Sequence, residues 1–387
     1  MLFGRSVGVE WSQSGRVHGL LRATLMRPAK GLQSLTLKVG DQSHPVDLSA
    51  LPADATQVPV NLHTHLLPEG PVRLELLVQA EDGNASSGSH AFTVANEGDL
   101  AARVRDSLRR RQVPLAFAGP CDAGRYDYAD QTLVPWFDRP DAEAHIQKLQ
   151  AEGRISEEEA GQLRGFVRDG FLVVPDGLEP ELVDQALAAM QDAVDTGYQG
   201  YAWGESTRLE HLHVKYPAMR SLWLHPRVHR LLELIFDEQS QPCQSLGYVF
   251  GSQQDAHQDT IHLTPFPAGY MCGVWMALED VQPGSGELVV YPGSHRLPRV
   301  YLRDTGCSKV GSDWRQFGDT VVARWGELLR ESGIEPVPYL AKKGSVLIWH
   351  ENLMHAGSVR RDASLSRRSL VTHNFARGSV VFYDSTG

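Results

Sequence analysis

The sequence predicts a mainly β protein with helices: a small N-terminal β-sandwich, immunoglobulin-like in outline, then a strand-rich barrel with helices packed on one side. Three observations predict it. Between Val17 and Val94, short alternating apolar runs are broken by Gly, Pro, Asp and Asn, the pattern of strands joined by turns. A first short strand, Phe171 to Pro175, is then followed by helical segments ahead of a second strand-rich region that begins at Gln244. Within that region, the stretch from Gln254 to Arg296 sets His257 and Asp259 two residues apart and runs into two strand-like segments.

Taken in order, the runs HGLLRATLM, SLTLKVG, HPVDLS, QVPVNL, VRLELLVQA and HAFTVA suit a small antiparallel sandwich. Its histidines, His18, His44, His63, His65 and His90, show no consistent ligand spacing, and the expectation for them is a plain sandwich surface. Leu100, Val104 and Leu108 recur every fourth residue in the charged stretch Glu97 to Gln112, which reads as a connecting amphipathic helix. Arg109 to Arg111 falls at the end of that helix, where cations complement its dipole. Pro114 to Pro140 is a Gly-, Pro- and Asp-rich linker that Trp136 and Phe137 would anchor. Helices are expected over 141–150 and 155–168, the second capped at Ser156, and again over 180–194 and 226–236. The domain boundaries expected are 1–97 for the sandwich, 98–154 for a helical linker and 155–387 for the barrel.

The chemistry concentrates at His257 and Asp259. Residues i and i+2 of an extended strand point to the same side, so an imidazole nitrogen and a carboxylate oxygen take adjacent places around one ion. His355 is the best third ligand, because it follows the apolar, buried-strand run Val346 to Trp349 within a short turn. Two histidines and one carboxylate on one face of an ion leave three positions open, which suits non-haem Fe(II) enzymes that bind a co-substrate and oxygen together.

Further motifs carry a family resemblance: Trp275 in GVWMALEDV, the run PGSGELVVYPGSH ending at His295, and HENLMHAGS followed by Arg367 and Arg368. Together with His257-Gln258-Asp259, in this order from about Arg164 onward, they resemble the phytanoyl-CoA dioxygenase family of Fe(II)/2-oxoglutarate-dependent oxygenases. The resemblance implies a double-stranded β-helix, a jelly-roll or cupin-like barrel with its metal at one open end. It implies Fe(II) on His257, Asp259 and His355, with 2-oxoglutarate and O2 as co-substrates. It also implies an arginine fork for the distal carboxylate of 2-oxoglutarate. Arg367 fits that place and Arg368 is the alternative, since HAGS carries one residue more than the HGS common in the family. Ser358 then matches the family hydroxyl, Trp275 a tryptophan of the co-substrate pocket and Lys215 an upstream lysine there. His262, His295 and His373, and further upstream His211 and His213, are polar residues that either face the pocket or satisfy backbone groups. The carboxylate at Asp259 favours hydroxylation over halogenation.

The expected reaction is hydroxylation of an unactivated C–H of a small metabolite or a glycan- or carrier-linked intermediate, with release of succinate and CO2. Two rival readings are a non-catalytic binding or scaffold protein with a degenerate barrel, and a cupin-like Zn or Mn hydrolase or isomerase. Net charge is −10, with basic residues scattered outside Arg109 to Arg111, which sets nucleic acid aside. Four widely spaced cysteines form no CxxC pair, and no run is long and apolar enough for a membrane span. The expectation is a cytoplasmic protein with reduced thiols, whose sandwich is the place for a protein or glycan partner.

Overall fold

The computed structural model describes residues 5–6 and 8–387. Its contacts divide the chain into two compact units: residues up to Leu133 with Thr264–Pro267 and Arg377–Gly387, and Val134–Leu263 with Ala268–Ala376.

In the first unit, two sheets share one core. One sheet carries Ala85–Val94, Gly70–Ala80, Leu32–Val39 and Gln42–Pro45 in that order, and the other carries Ala116–Ala118, Gln57–His63, Leu20–Met26 and Val9–Trp11. Alternation along the strands turns Leu35, Leu37, Leu74, Leu76 and Val78 inward from the first sheet. Leu21, Ala23, Leu25, Val58, Val60 and Leu62 face them from the second. The stretch 98–133, expected within a linker, belongs by its contacts to this unit. The cause is local: Ala116–Ala118 adds a hydrogen-bonded strand beside Gln57–His63. His63 and His65 also depart from the expected surface placement, being 0 % and 1 % exposed. His63 is held by Pro114 O and the Tyr126 hydroxyl, each at 3.0 Å, and His65 by Gly378 O at 2.7 Å.

The second unit is built on a six-stranded antiparallel sheet in the order Phe171–Val174, Val346–His350, Met271–Ala277, Ser369–Ala376, Ser240–Tyr248 and Leu209–Glu210. Its three central strands are buried at every position. That is why Met271–Ala277 and Val346–Trp349 read as unbroken apolar runs rather than as alternation: both faces are covered. On one face the helix Pro226–Phe236 packs against Ser240–Tyr248 and Ser369–Ala376 through a stripe that includes Val228, Leu231, Leu232 and Ile235. On the other face, Trp275, Leu347, Trp349 and Val371 meet Leu288 and Val290 of a three-stranded sheet ordered Val337–Tyr339, Leu288–Val290, His355–Gly357. The Ser156 capping box is present, with the hydroxyl accepting from Glu159 N–H at 3.1 Å and the Glu159 carboxylate accepting from Ser156 N–H at 2.8 Å. The helix it starts ends at Gly170, whose φ of +82° and close approach to the His295 ring exclude a side chain. Trp136 and Phe137 are buried as expected, and the Trp136 indole donates to Ile235 O at 2.8 Å.

Between Val290 and Val337 the chain leaves the three-stranded sheet and forms a helical lobe that was not anticipated. Its largest element is the helix Ala323–Ser332, entered through a π turn at Gly318–Val322. The lobe core gathers Val300, Leu302, Phe317, Val321, Trp325 and Leu328 around Ile261 and Met354. Among the described residues, no helix is long and apolar enough to cross a membrane.

Candidate active site

His257 and His355 face each other as an antiparallel bridge, each N–H donating to the other's carbonyl, at 3.0 and 3.1 Å. Residues opposed in this way put their side chains on one face, and the two rings lie 4.3 Å apart between centroids. Asp259 stands two residues beyond His257, with its N–H donating to Glu351 O at 3.0 Å. One potential ligand atom from each of the three residues lies within 4.8 Å of the others. The Asp259 oxygens are 3.7 Å from His257 Nε2 and 3.8 Å from His355 Nε2. Two donors each about 2.1 Å from one ion are at most about 4.2 Å apart, so both separations are within reach of a shared metal.

The protonation pattern suits a ligand set. His257 Nδ1 lies 2.7 Å from Asp255 O and His355 Nδ1 3.1 Å from Leu353 O. A carbonyl only accepts, so each Nδ1 carries the proton and each Nε2 presents its lone pair. Burial brings His257 down to about 4, keeping it neutral at pH 7. For Asp259 burial pushes upward, but the His355, His373 and His257 rings outweigh it and hold the carboxyl below the usual carboxylate range. The Trp349 indole also donates to Asp259 Oδ2 at 2.8 Å. Gly273, on the neighbouring strand, makes this possible: a Cβ there would lie 2.0 Å from Trp349 Cζ2.

His373 joins this group from the six-stranded sheet, with Nε2 3.6 Å from Asp259 Oδ2. Its Nδ1 faces the Gln244 amide nitrogen at 2.8 Å. An amide nitrogen only donates, so His373 Nδ1 accepts and Nε2–H points at the carboxylate. That is the opposite tautomer to the two ligand candidates, and it makes His373 a support for Asp259.

Arg367 is 3 % exposed. Its Nε donates to Gly286 O at 3.1 Å and its Nη1 to Ser369 Oγ at 2.7 Å, and the guanidinium carbon lies 5.6 Å from the ring centroids of Tyr248 and Trp275. Among the described residues no carboxylate forms an ion pair with it, and burial lowers it to about 10. A buried cation without a counter-charge is costly. Beside it, the Trp275 Nε1 is buried without a hydrogen-bond partner. A cation and a vacant donor side by side fit an anionic, acceptor-rich ligand, which is the chemistry of a dicarboxylate co-substrate.

The other expected co-substrate residues lie elsewhere. Arg368, next along the strand, points to the opposite face, where it pairs with Glu279 and bonds Ser366 and Gln191, each at 3.2 Å. Ser358 donates to Glu287 O at 3.0 Å and bonds the Glu287 carboxylate, so its hydroxyl is already engaged. Lys215 sits on the surface, its ammonium bonded to Tyr216 Oη at 2.8 Å and paired with Asp192 at 3.5 Å. His213 stacks on Trp223 at 3.9 Å and bonds Ser245, which makes it structural. Reasoning from sequence did not single out Trp349, Ser369 or Tyr248. Two signals were available: a buried indole needs an acceptor for its N–H, and Ser369 follows Arg367 by two, on the same strand face.

Behind Asp259 lies a buried polar network. The Glu351 carboxylate accepts from Gly269 N–H at 2.7 Å and Arg299 Nε at 3.0 Å, and Arg299 reaches Asp138 at 3.3 Å. Burial pushes the Glu351 carboxyl up despite the adjacent guanidinium. His295 lies beside this network, with its ring 5.5 Å from that of His350.

The site can now be set beside known proteins. The chain is 28 % identical over 183 residues to the mouse phytanoyl-CoA dioxygenase domain-containing protein 1, an overlap of 44 % of this chain and 57 % of the relative. It is 34 % identical over 171 residues to the rat protein of that name, 42 % of this chain and 54 % of the relative. The chain spans about half the length of the curated relatives it matches. Among solved structures it is similar to the non-haem α-ketoglutarate-dependent carbocyclase SnoK from nogalamycin biosynthesis, with TM-score 0.47, 18 % identity, and coverage of 58 % of this chain and 85 % of that one. It is also similar to EctD from S. alaskensis with 2-oxoglutarate and 5-hydroxyectoine, with TM-score 0.43, 18 % identity, and coverage of 57 % and 76 %. The sequence model described as phytanoyl-CoA dioxygenase (PhyH) matches residues 166–369, a span that contains His257, Asp259, His355 and Arg367. That span is more than half of the 387 residues, and the chain belongs to the phytanoyl-CoA dioxygenase (PhyH) family.

Proposed function

We propose that this protein is an Fe(II)- and 2-oxoglutarate-dependent dioxygenase that hydroxylates an unactivated C–H bond of a small metabolite or of a glycan- or carrier-linked intermediate. One observation carries the reading: potential metal-ligand atoms of His257, Asp259 and His355 converge in the unit that also buries Arg367, with which no carboxylate forms an ion pair among the described residues. In this reading the two imidazole Nε2 atoms and the Asp259 carboxylate hold the iron on one face, within a double-stranded β-helix formed by the six- and three-stranded sheets.

Held by these residues, iron would supply the oxygen activation that couples hydroxylation of the substrate to conversion of 2-oxoglutarate to succinate and CO2. The protein's residues bind and orient. Arg367 takes the distal carboxylate of 2-oxoglutarate, Ser369 fixes the plane of the guanidinium, and the Trp275 N–H offers a further donor. Trp349 and His373 keep Asp259 ionised and aimed. The covered sheet faces limit water around these groups.

The experiment is a comparison of 2-oxoglutarate turnover, read as succinate formed per iron, in the wild-type protein and Asp259→Ala. The reading predicts iron-dependent succinate from the wild type and its loss in the variant together with weakened iron binding. Undiminished succinate from Asp259→Ala contradicts the ligand assignment.

A further inference from the structure

Gln258 lies between the two ligand residues, in extended backbone with φ −104° and ψ 136°. His257 forms an isolated bridge and Asp259 opens the short 3-10 turn Asp259–Ile261, and the Gln258 side chain between them enters the helical lobe. There, 0 % exposed, it makes three hydrogen bonds. Oε1 accepts from Trp325 Nε1 at 3.0 Å and from Val300 N–H at 3.2 Å, and Nε2 donates to Pro298 O at 3.0 Å. The amide is thus satisfied by the lobe alone.

Trp325 is 1 % exposed, and its ring centroid lies 6.2 Å from that of His257. It is carried by a helix with a π turn over Gly318–Val322. Phe317, Val321 and Trp325, spaced by four on one face, all reach the lobe core. Single π turns of this kind recur at functional sites.

We propose that Gln258 and Trp325 are positioning residues for the metal centre: by gripping Gln258, the lobe fixes the direction in which His257 and Asp259 are presented. This rests on the reading of His257, Asp259 and His355 as iron ligands. It goes beyond that reading in assigning the lobe a task in the geometry of the site. The lobe is thereby linked to iron affinity through one side-chain amide.

The test measures Fe(II) affinity without oxygen, by competition with a colorimetric chelator, alongside thermal unfolding of the same full-length chain. Trp325→Phe removes the indole N–H and keeps an aromatic ring. It should weaken Fe(II) binding about tenfold, as loss of a ligand-orienting partner does. Gln258→Met, of similar volume, should do the same or more, and the double variant should add little to the larger single effect, because both act through one link. Phe317→Leu, which removes a ring 5.8 Å from that of Trp325 but leaves the indole N–H bond to Gln258 in place, should lower the melting temperature and leave Fe(II) affinity within about twofold. Should Trp325→Phe fail to fold, Gln258→Met carries the same reading. Wild-type Fe(II) affinity in both variants, an equal loss in Phe317→Leu, or fully additive losses each overturn the proposal. Wild-type protein that binds no Fe(II) contradicts the metal reading instead, so the two failures are distinguishable.

Discussion

The Trp349 indole donates to Asp259 Oδ2 at 2.8 Å, joining the second strand of the six-stranded sheet to the only carboxylate of the candidate metal set. The bond leaves one carboxylate oxygen engaged by the protein and the other turned toward His257. Trp349→Phe should weaken Fe(II) binding about tenfold, measured by chelator competition, with a modest change in stability. Gly273→Ala should reach the same phenotype by another route, since its methyl group would occupy the space of the indole. Wild-type iron affinity in both variants would leave Trp349 as core packing.

Arg367 and Arg368 are adjacent and should differ sharply. Arg367→Ala should raise the KM for 2-oxoglutarate about 10- to 100-fold, the range expected for losing about 1.5–3 kcal/mol of charge-assisted hydrogen bonding. Arg367→Lys should recover only part of it, because a point charge cannot replace the fork. Arg368→Ala should leave KM within about twofold, since its pair with Glu279 is partly exposed and contributes about 0–1 kcal/mol to stability. Steady-state kinetics separate the two. Equal effects would contradict the strand-face argument.

How much of this was legible beforehand follows from what each residue's role depends on. The two-residue spacing drew attention to His257 and Asp259, but the extended strand expected there is instead an isolated bridge at His257 and a 3-10 turn that opens at Asp259. His355 was legible because an apolar run ended just ahead of it. The partners that engage Lys215 and Ser358, Asp192 for one and Glu287 for the other, are tertiary contacts that no local pattern announces. The same holds for His63 and His65, whose burial depends on Pro114, Tyr126 and Gly378. The lobe went unread although Phe317, Val321 and Trp325 recur every fourth residue, because what gathers Val300, Leu302 and Ile261 around them is tertiary packing.

Acid should destabilise the first unit through these two histidines. Burial lowers His63 to about 3 and His65 to about 4, against about 6.5 for an unfolded chain. Between those values the unfolded state binds protons that the folded state refuses, so stability falls as pH drops from about 6.5 toward 4. The slope is at most about 1.4 kcal/mol per pH unit for each histidine. Urea unfolding at pH 7 and pH 5, followed by a probe in this unit, should show the loss, and His63→Gln should flatten the slope. A pH-independent midpoint would contradict the assignment.

The central claim is that iron and 2-oxoglutarate meet at His257, Asp259, His355 and Arg367, and one measurement tests it without a known substrate. Fe(II) is added to metal-free protein in the absence of oxygen, 2-oxoglutarate is titrated in, and the weak visible metal-to-ligand charge-transfer band of a chelated complex is followed. The account predicts a saturable band in the wild type, no band in Asp259→Ala and a midpoint shifted to higher 2-oxoglutarate in Arg367→Ala. Iron bound by the wild type with no band at any 2-oxoglutarate concentration would contradict it.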